Sequence, residues 1–411
     1  MKIALIGCGS AGQDIAIQVT KLGGFDEIIL ADFKISKAIE LEKILKKINI
    51  SLEYTSHELD ASNIKKIKNI LRGVKIVINA ASPICNIPIM KACLNTKTHY
   101  IDLASDPFRY SGMVEGTSLE EQLELDEKFL KNDLIAITNT GFSPGFTDVL
   151  CRYVVDKYSL NAINSIKIYF GEVIEADRLI VGWSPYILLL ETISPPTVYK
   201  DKNIETLSPF GSTKKIKFPD PIGELKVRPF NGHPELKTIP EFINIPVEYI
   251  EIGGGIRLNE MEINDVIVEA LSEIVSENIN IEGDIFEILS KAFENPEKFA
   301  HFYKKGNIKK EIFCCLFEIN GTKNGKTIRY TATIEHDLVD IIEEISTASV
   351  ATYIVSFTPT IILDMLMKGK INERGVIAPA GLNCASSIIK EAKEMGLNLK
   401  DKIEINPTFS Q

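Results

Sequence analysis

The chain of 411 residues has little of what marks specialised protein classes. It holds one tryptophan and five histidines, and its seven cysteines (Cys8, Cys85, Cys93, Cys151, Cys314, Cys315 and Cys384) form no C-x-x-C pair and have no histidines at ligand spacing. That excludes a disulfide scaffold and a structural zinc site, and is the pattern of a reducing, cytoplasmic compartment with no metal expected. Cys314 and Cys315, adjacent on an expected strand, face opposite ways and cannot share an ion. Basic charge is also scarce: 46 Lys and Arg stand against 56 Asp and Glu, a formal charge of -10. No general attraction to nucleic acid or to anionic lipid follows from such a balance. Glycines break the apolar start MKIALIGCGSAG before a secretory leader could form. The longest apolar stretch, residues 348–367, contains Pro359 and Asp364 and reads as a buried helix, so no membrane association is expected. No repeat or low-complexity tract is visible. What remains, 45% hydrophobic and 25% charged residues, is an ordinary globular composition with length for about two or three domains.

From Lys2 to Thr140, short β-branched runs (KIALIG, EIILAD, SLEYTSHEL, KIVINAA, HYIDLA, LIAITN) alternate with helical spacing in SKAIELEKILKKI and IKKIKNIL. Ser118 and Glu121 make a capping box that opens a helix over SLEEQLELDEKFL. This alternation predicts an α/β fold with a doubly wound parallel sheet. After Thr140 the rhythm changes to longer strands such as INSIKIYFGEV, a proline-rich stretch from Pro195 to Pro246, and a hairpin over IFCCLFEI-NGTKNG-KTIRYTATIE. A second, mostly antiparallel domain is expected from near Pro144, with amphipathic helices over EINDVIVEALSEIV and DIFEILSKAF and a long helical segment after His336.

Gly7, Gly9 and Gly12 form G-x-G-x-x-G between the first strand and the first helix, with Ser10 and Ala11 inside the motif. The first glycine makes the tight turn, the second lets backbone approach a pyrophosphate, and the third allows close helix–strand packing. The phosphates then meet the helix N-terminus, where free N–H groups and the dipole favour anions. Asp32, at the end of the second strand, can accept hydrogen bonds from the adenosine ribose hydroxyls and repel a 2′-phosphate, which favours NAD; Lys34 leaves NADP open. Asp60 and Ala61 after the third strand border the expected adenine position, with a plain helix cap as the alternative for Asp60. Asn79, Ala80, Ala81 and Ser82 end the fourth strand where the nicotinamide half belongs.

Beyond the glycine motif, the segments VINAASPICNIPIMKACLNTKTHYIDLA, NTGFSPGFTDVL, GWSPYILLLETISPPTVYKDKNIE, FNGHPELKTIP and GVIAPAGLN follow one another in order. Together they resemble the saccharopine dehydrogenase-like oxidoreductases, a family that includes saccharopine reductase, lysine 6-dehydrogenase and carboxynorspermidine dehydrogenase. The resemblance covers nearly the whole chain. It implies a Rossmann domain over 1–143 completed by 340–411, with an inserted α+β substrate and dimerisation domain over 144–339, and a homodimer. It also implies nicotinamide-dependent oxidation of a C–N bond in an amino acid or amine, through an imine that water hydrolyses, or the reverse condensation. Ser143 stands where the glutamate-forming saccharopine reductases carry an acid, and no histidine follows. The segments around Pro144 and GWSP are closer to lysine 6-dehydrogenase, so lysine or saccharopine is the first expectation and a carboxylated polyamine the alternative.

Hydride leaves carbon only from a neutral amine, and an amine of pKa about 10 is mostly protonated near neutrality, so a base is required. His233 and Glu235 of GHPELKTIP are the candidates, with Asp102 at the end of the fifth strand as a third. Asp102 has an alternative role in holding Tyr100 or a loop in place. A substrate carboxylate calls for a guanidinium or helix-end amides; Arg109, Arg178, Arg228 and Arg257 are available, as are the amides of Gly145 and Phe146. Trp183 is either a pocket wall or a buried anchor. A different class also fits the motifs, a dinucleotide-binding regulator that has lost turnover.

Overall fold

The computed structural model describes residues 1–105, 119–208, 212–276, 284–342 and 349–406. Arg109 and Ser118 lie outside them. The chain divides into two compact units: residues 1–157, 237–244 and 353–397 form unit 1, and residues 158–236, 245–352 and 398–411 form unit 2.

Unit 1 is built on β1 (Lys2–Ile6), β2 (Glu27–Asp32), β3 (Glu53–Glu58), β4 (Val74–Asn79), β5 (His99–Asp102) and β6 (Ile135–Ile137). With Gly375–Ile377 they form a seven-stranded sheet in the order Gly375–Ile377, β6, β5, β4, β1, β2, β3. Every pairing is parallel. Parallel strands covered on both faces need apolar side chains at nearly every position, which is why β1, β4 and β6 read as continuous runs. Ile3, Leu5, Val77, Ile78, Ile135 and Ile137 are all at most 3% exposed. Strand order reverses about β1, so the crevice beyond the carboxyl ends of β1 and β4 is the switch point at which doubly wound sheets bind ligands. The helix α1 (Ser10–Leu22) follows β1 at that point. Helix Phe357–Met367 is buried along most of its length. The window Val350–Met367 is apolar enough to cross a membrane by length and composition, and 78% of it is buried within the fold.

Unit 2 is a mixed sheet. Its main path runs Lys214–Lys217, Glu224–Pro229, Tyr249–Leu258, Ala162–Ala176, Ile308–Lys323, Lys326–Asp337 and Leu399–Ile405. Tyr249–Leu258 pairs parallel with Ala162–Ala176, and the other neighbours on the path are antiparallel. The expected hairpin is present and closes at Asn324-Gly325, both at positive φ (49° and 76°), the turn chemistry that matches strand twist. Phe218, Ile222, Leu225, Val227, Ile312 and Cys314 pack on one face of the sheet.

Several sequence expectations need correction. The C-terminal helices return to unit 1 over 353–397 as expected, but the last strand does not: Leu399–Ile405 pairs with Lys326–Asp337, adding a strand to the edge of the second sheet. Helix Phe146–Tyr158 lies in unit 1 up to Lys157, and unit 1 resumes at Tyr353 rather than at 340. The helix expected over SLEEQLELDEKFL is two short helices, Leu119–Leu123 and Asp126–Lys131. The segment after His336 remains strand to Asp337, whose carboxylate caps the short helix Leu338–Ile341.

Candidate functional site

In unit 1 the glycine motif does what its spacing implies. Gly7 has φ of 97°, and a Cβ built there would stand 2.6 Å from the Ala80 carbonyl carbon. A Cβ on Gly12 would overlap the Gly7 carbonyl oxygen. The turn is thus pressed between the end of β4 and α1, and only hydrogen fits at both positions. Gly9 is the N-cap of α1 in extended backbone. The Gln13 amide donates to the Gly9 carbonyl at 2.8 Å, so the preceding amides of the half-exposed Ser10 and Ala11 face the crevice as an anion cradle.

Asp32 is fixed beside that cradle. Its Oδ2 accepts the Cys8 amide and its Oδ1 the Lys34 amide, each at 2.8 Å. Each carboxylate oxygen has a second lone pair, so the group is held by backbone and still able to receive ribose hydroxyls. The Cys8 thiol is fully buried, and burial pushes it up to about 12, which makes it a packing group. Asp60 accepts the Ser62 amide at 3.0 Å and the Ser62 hydroxyl at 2.6 Å. Those bonds hold its carboxyl below the usual range and form the turn that leads into the next helix. Ala61 packs on the core of unit 1. These residues fit an adenosine half.

The end of β4 is held by a polar network. Asn79 donates to Asn86 Oδ1 at 2.8 Å and to the Tyr100 hydroxyl at 3.2 Å, and its Oδ1 accepts the Ala81 amide at 3.0 Å. This fixes the turn of Ala80, Ala81 and Ser82 in front of the sheet. Asp102 lies beneath, 1% exposed, with Oδ1 accepting the Asn139 amide at 2.7 Å and Oδ2 accepting Gln122 Nε2 at 2.6 Å. Burial pushes its carboxyl up to about 7 against those bonds. Both oxygens are engaged, one by Asn139 just after β6 and one by Gln122 in the helix Leu119–Leu123, so Asp102 is placed to hold those segments.

Gly145 and Phe146, expected to offer amides to a substrate, use them within their own turn. The Gly145 amide donates to Asp148 Oδ2 at 3.0 Å, and the Phe146 amide to the Gly141 carbonyl at 3.1 Å. Phe146 is fully buried and stacks on Phe142 with ring centroids 5.9 Å apart. Thr238 Oγ1 donates to the second oxygen of Asp148. Sequence spacing marks the turn but not the acid three residues on that takes its amide.

Unit 2 brings His233 and Glu235 together. His233 Nδ1 lies 2.6 Å from Glu235 Oε2, the glutamate is fully enclosed, and the ring of Phe230 stacks on the imidazole at 5.5 Å. The loop is held by the Gly232 amide on Thr197 Oγ1 at 2.6 Å and by Asn231 Nδ2 on the Pro195 carbonyl. Glu191, which sequence reasoning missed, faces the same pair: burial pushes its carboxyl up to about 7, with His233 acting to lower it and Glu235 to raise it. Its one sequence signal is a charged residue inside the apolar run YILLLETI. Trp183 is half-buried at the start of that helix, where Ser184 is the N-cap.

Of the arginines, Arg178 pairs with Asp177 and Glu294 and lies over the Phe302 ring. Arg257 donates to the carbonyls of Ile222 and Glu224. Both hold structure. Arg228 is 4% exposed and donates to the Ser194 carbonyl at 3.4 Å.

A doubly wound sheet with a tight glycine turn after its first strand is carried in one chain with a mixed-sheet unit that encloses an imidazole and two carboxyl groups, which makes this a two-unit protein with a Rossmann-type half. The chain belongs to the saccharopine dehydrogenase family: residues 3–137 match the saccharopine dehydrogenase NADP binding domain, and residues 141–397 the saccharopine dehydrogenase C-terminal domain. It is 28% identical over 267 residues to carboxynorspermidine synthase of Vibrio cholerae, an alignment that spans 62% of this chain and 63% of that protein. It is 23% identical over 412 residues to carboxyaminopropylagmatine dehydrogenase of Synechocystis, covering 96% of both. In fold it is similar to saccharopine dehydrogenase (L-Glu forming) of Saccharomyces cerevisiae, with a TM-score of 0.68, 17% identity, and coverage of 98% of this chain and 99% of that one. The homospermidine synthase of Legionella pneumophila, solved with NAD, gives a TM-score of 0.70 at 11% identity, covering 98% and 91%.

Proposed function

We propose that the chain is a dehydrogenase of a carboxylated polyamine, acting on a C–N bond beside a secondary amine. The observation that carries this reading is the enclosed group of Glu191, His233 and Glu235 in unit 2: two carboxyl groups about one imidazole suit a substrate of several amines, which arrives cationic and must lose a proton before reaction. The names of the Vibrio and Synechocystis relatives support the polyamine reading over the lysine or saccharopine reading favoured by the segments around Pro144 and GWSP.

NAD or NADP supplies the two-electron acceptor. The residues of unit 1 do the rest of the cofactor work: Gly7 and Gly12 clear space for the pyrophosphate, the first amides of α1 receive it, and Asp32 favours a free ribose 2′-hydroxyl, hence NAD. In unit 2, Glu235 holds the imidazole of His233 through Nδ1 and raises its basicity toward the amine proton, and Glu191 offers a carboxylate to a cationic nitrogen. In the direction of oxidation the C–N bond becomes an imine and water cleaves it to a carbonyl compound and an amine; in the reverse direction the same two molecules condense with loss of water and the imine is reduced. A homodimer acting on a small soluble amine completes the proposal.

The test is nicotinamide absorbance with purified protein, NAD(H) or NADP(H), and carboxynorspermidine, carboxyaminopropylagmatine, saccharopine and lysine in parallel. Turnover with either carboxylated polyamine and none with lysine or saccharopine is expected. The opposite pattern overturns the reading, and silence across the panel with cofactor still bound favours a non-catalytic dinucleotide-binding role.

A further inference from the structure

Unit 2 encloses a second pair of acids that the amine chemistry does not use. Glu172 lies on Ala162–Ala176 and Glu311 on the antiparallel strand Ile308–Lys323. Glu172 stands opposite Phe313 and Glu311 opposite Ile174, so the two acids are diagonal neighbours on one face of the sheet. They are 1% and 0% exposed. A methyl group built on Gly182 would come 2.6 Å from Glu172 Oε1 and 2.9 Å from Glu311 Oε1. Both carboxyl groups therefore converge on the main chain of the loop that carries Trp183. Glu311 also accepts the Val350 amide, at 3.1 Å on one oxygen and 3.0 Å on the other, and Ser349 Oγ donates to the Gly182 carbonyl. Among the described residues, the groups that act on the pair are each other and the main chain of Gly182, Val350 and Ala351, with no Lys, Arg or His side chain among them.

Two carboxylates buried in one site, with no cation among the described residues to separate them, cannot both ionise without strong repulsion. We propose that Glu172 and Glu311 bind one proton between them and that this shared proton positions the Trp183 loop against the 349–352 turn. Burial is the first cause acting on both, holding Glu311 well above the usual carboxylate range and Glu172 up to about 7. When the proton passes to hydroxide at alkaline pH, forming water, the carboxylates separate and Gly182 loses its seat. Glu172 and Glu311 are positioning residues, and the lock operates whichever amine is the substrate.

Trp183 is the single tryptophan of the chain and is half-buried beside Gly182, so its emission in the full-length protein reports this loop alone. Emission is titrated from about pH 5.5 to about pH 9.5, a range that brackets a raised carboxyl. The wild type is expected to show one red-shifting step with the slope of a single proton. Glu172→Gln, uncharged and of the same shape, is expected to lose that step and keep the neutral-pH emission throughout, whereas Glu191→Gln keeps the step. A flat wild-type titration, a slope other than one proton, or a step that survives Glu172→Gln overturns the lock. Glu311→Gln is the second variant if Glu172→Gln does not fold: it is expected to lose the step in the same way, and a step that survives it overturns the lock.

Discussion

Gly7→Ala measures how tightly the cofactor turn is built. The added Cβ would sit 2.6 Å from the Ala80 carbonyl carbon and the Ala81 amide nitrogen, and 2.7 Å from the Ala80 oxygen. Ordinary contact lies near 3.5–4.0 Å, so the β1 turn and the end of β4 must part by about 1 Å. The neighbours are backbone, held by the Gly7 amide on the Ala31 carbonyl and the Ala80 amide on the Ile6 carbonyl, both at 2.8 Å. Forced repacking of this kind costs about 1–3 kcal/mol, and a non-glycine residue at φ of 97° adds about 1–3 kcal/mol of strain. Gly73 is the internal control: its φ is 74° and a Cβ there meets nothing within 4 Å, so Gly73→Ala carries the backbone strain without the clash. The expected difference between the two variants is the repacking term, and at roughly 2–4 °C per kcal/mol it separates their melting temperatures by several degrees. Fluorescence titration with NADH should show cofactor affinity reduced about 5- to 150-fold in Gly7→Ala, the same energy expressed in binding, and unchanged in Gly73→Ala. Equal melting temperatures with equal cofactor affinities would refute the close approach.

Four further outcomes follow from the same geometry. Asp32→Ala removes a charged acceptor worth about 1.5–3 kcal/mol, so NAD affinity should fall about 10- to 150-fold while NADP affinity holds or rises; a wild type that already binds NADP more tightly contradicts the reading of Asp32. Glu235→Gln leaves His233 without its charged partner, and kcat/KM should drop about 10- to 100-fold with cofactor affinity unchanged, whereas retained turnover would remove the pair from the chemistry. Glu191 titrates at about 7 and serves only when ionised, so kcat/KM should rise with pH up to that value, and Glu191→Gln should flatten this limb. Asp102 keeps its proton in the fold up to about 7 but loses it near 3.8 when unfolded. Its contribution is therefore full below 3.8 and falls by about 4 kcal/mol as pH rises to 7; denaturant titrations across that window should show the slope in wild type and its loss in Asp102→Asn.

The cofactor half was legible because its signals are local. Six alternations of apolar strand with helical spacing, glycines at 7, 9 and 12, and an acid ending the second strand are each decided within a few residues. So is the turn at Asn324-Gly325. His233 and Glu235 are two residues apart, and their pairing was open to inference for the same reason. Other features depend on partners far along the chain. Glu191 reads as one polar residue in an apolar helix until folding sets it against the His233 loop, and Glu172 and Glu311, 139 positions apart, meet only because two long strands pair in one register. The amide of Gly145 seemed available until Asp148 took it, and Asp102 seemed a base until Gln122 and Asn139 closed over it. The C-terminal helices return to the first unit, but the last strand, Leu399–Ile405, is drawn to the edge of the second sheet.

By itself the sequence determined the period of each element, the chemistry of each turn and the charge of each side chain, all of which act over one or two turns of chain. The tertiary structure decided which polar groups are enclosed together and which of their hydrogen bonds are already made. Burial and strand register are properties of the packed whole, and they alone separate a carboxylate that holds a loop from one that is left to do chemistry.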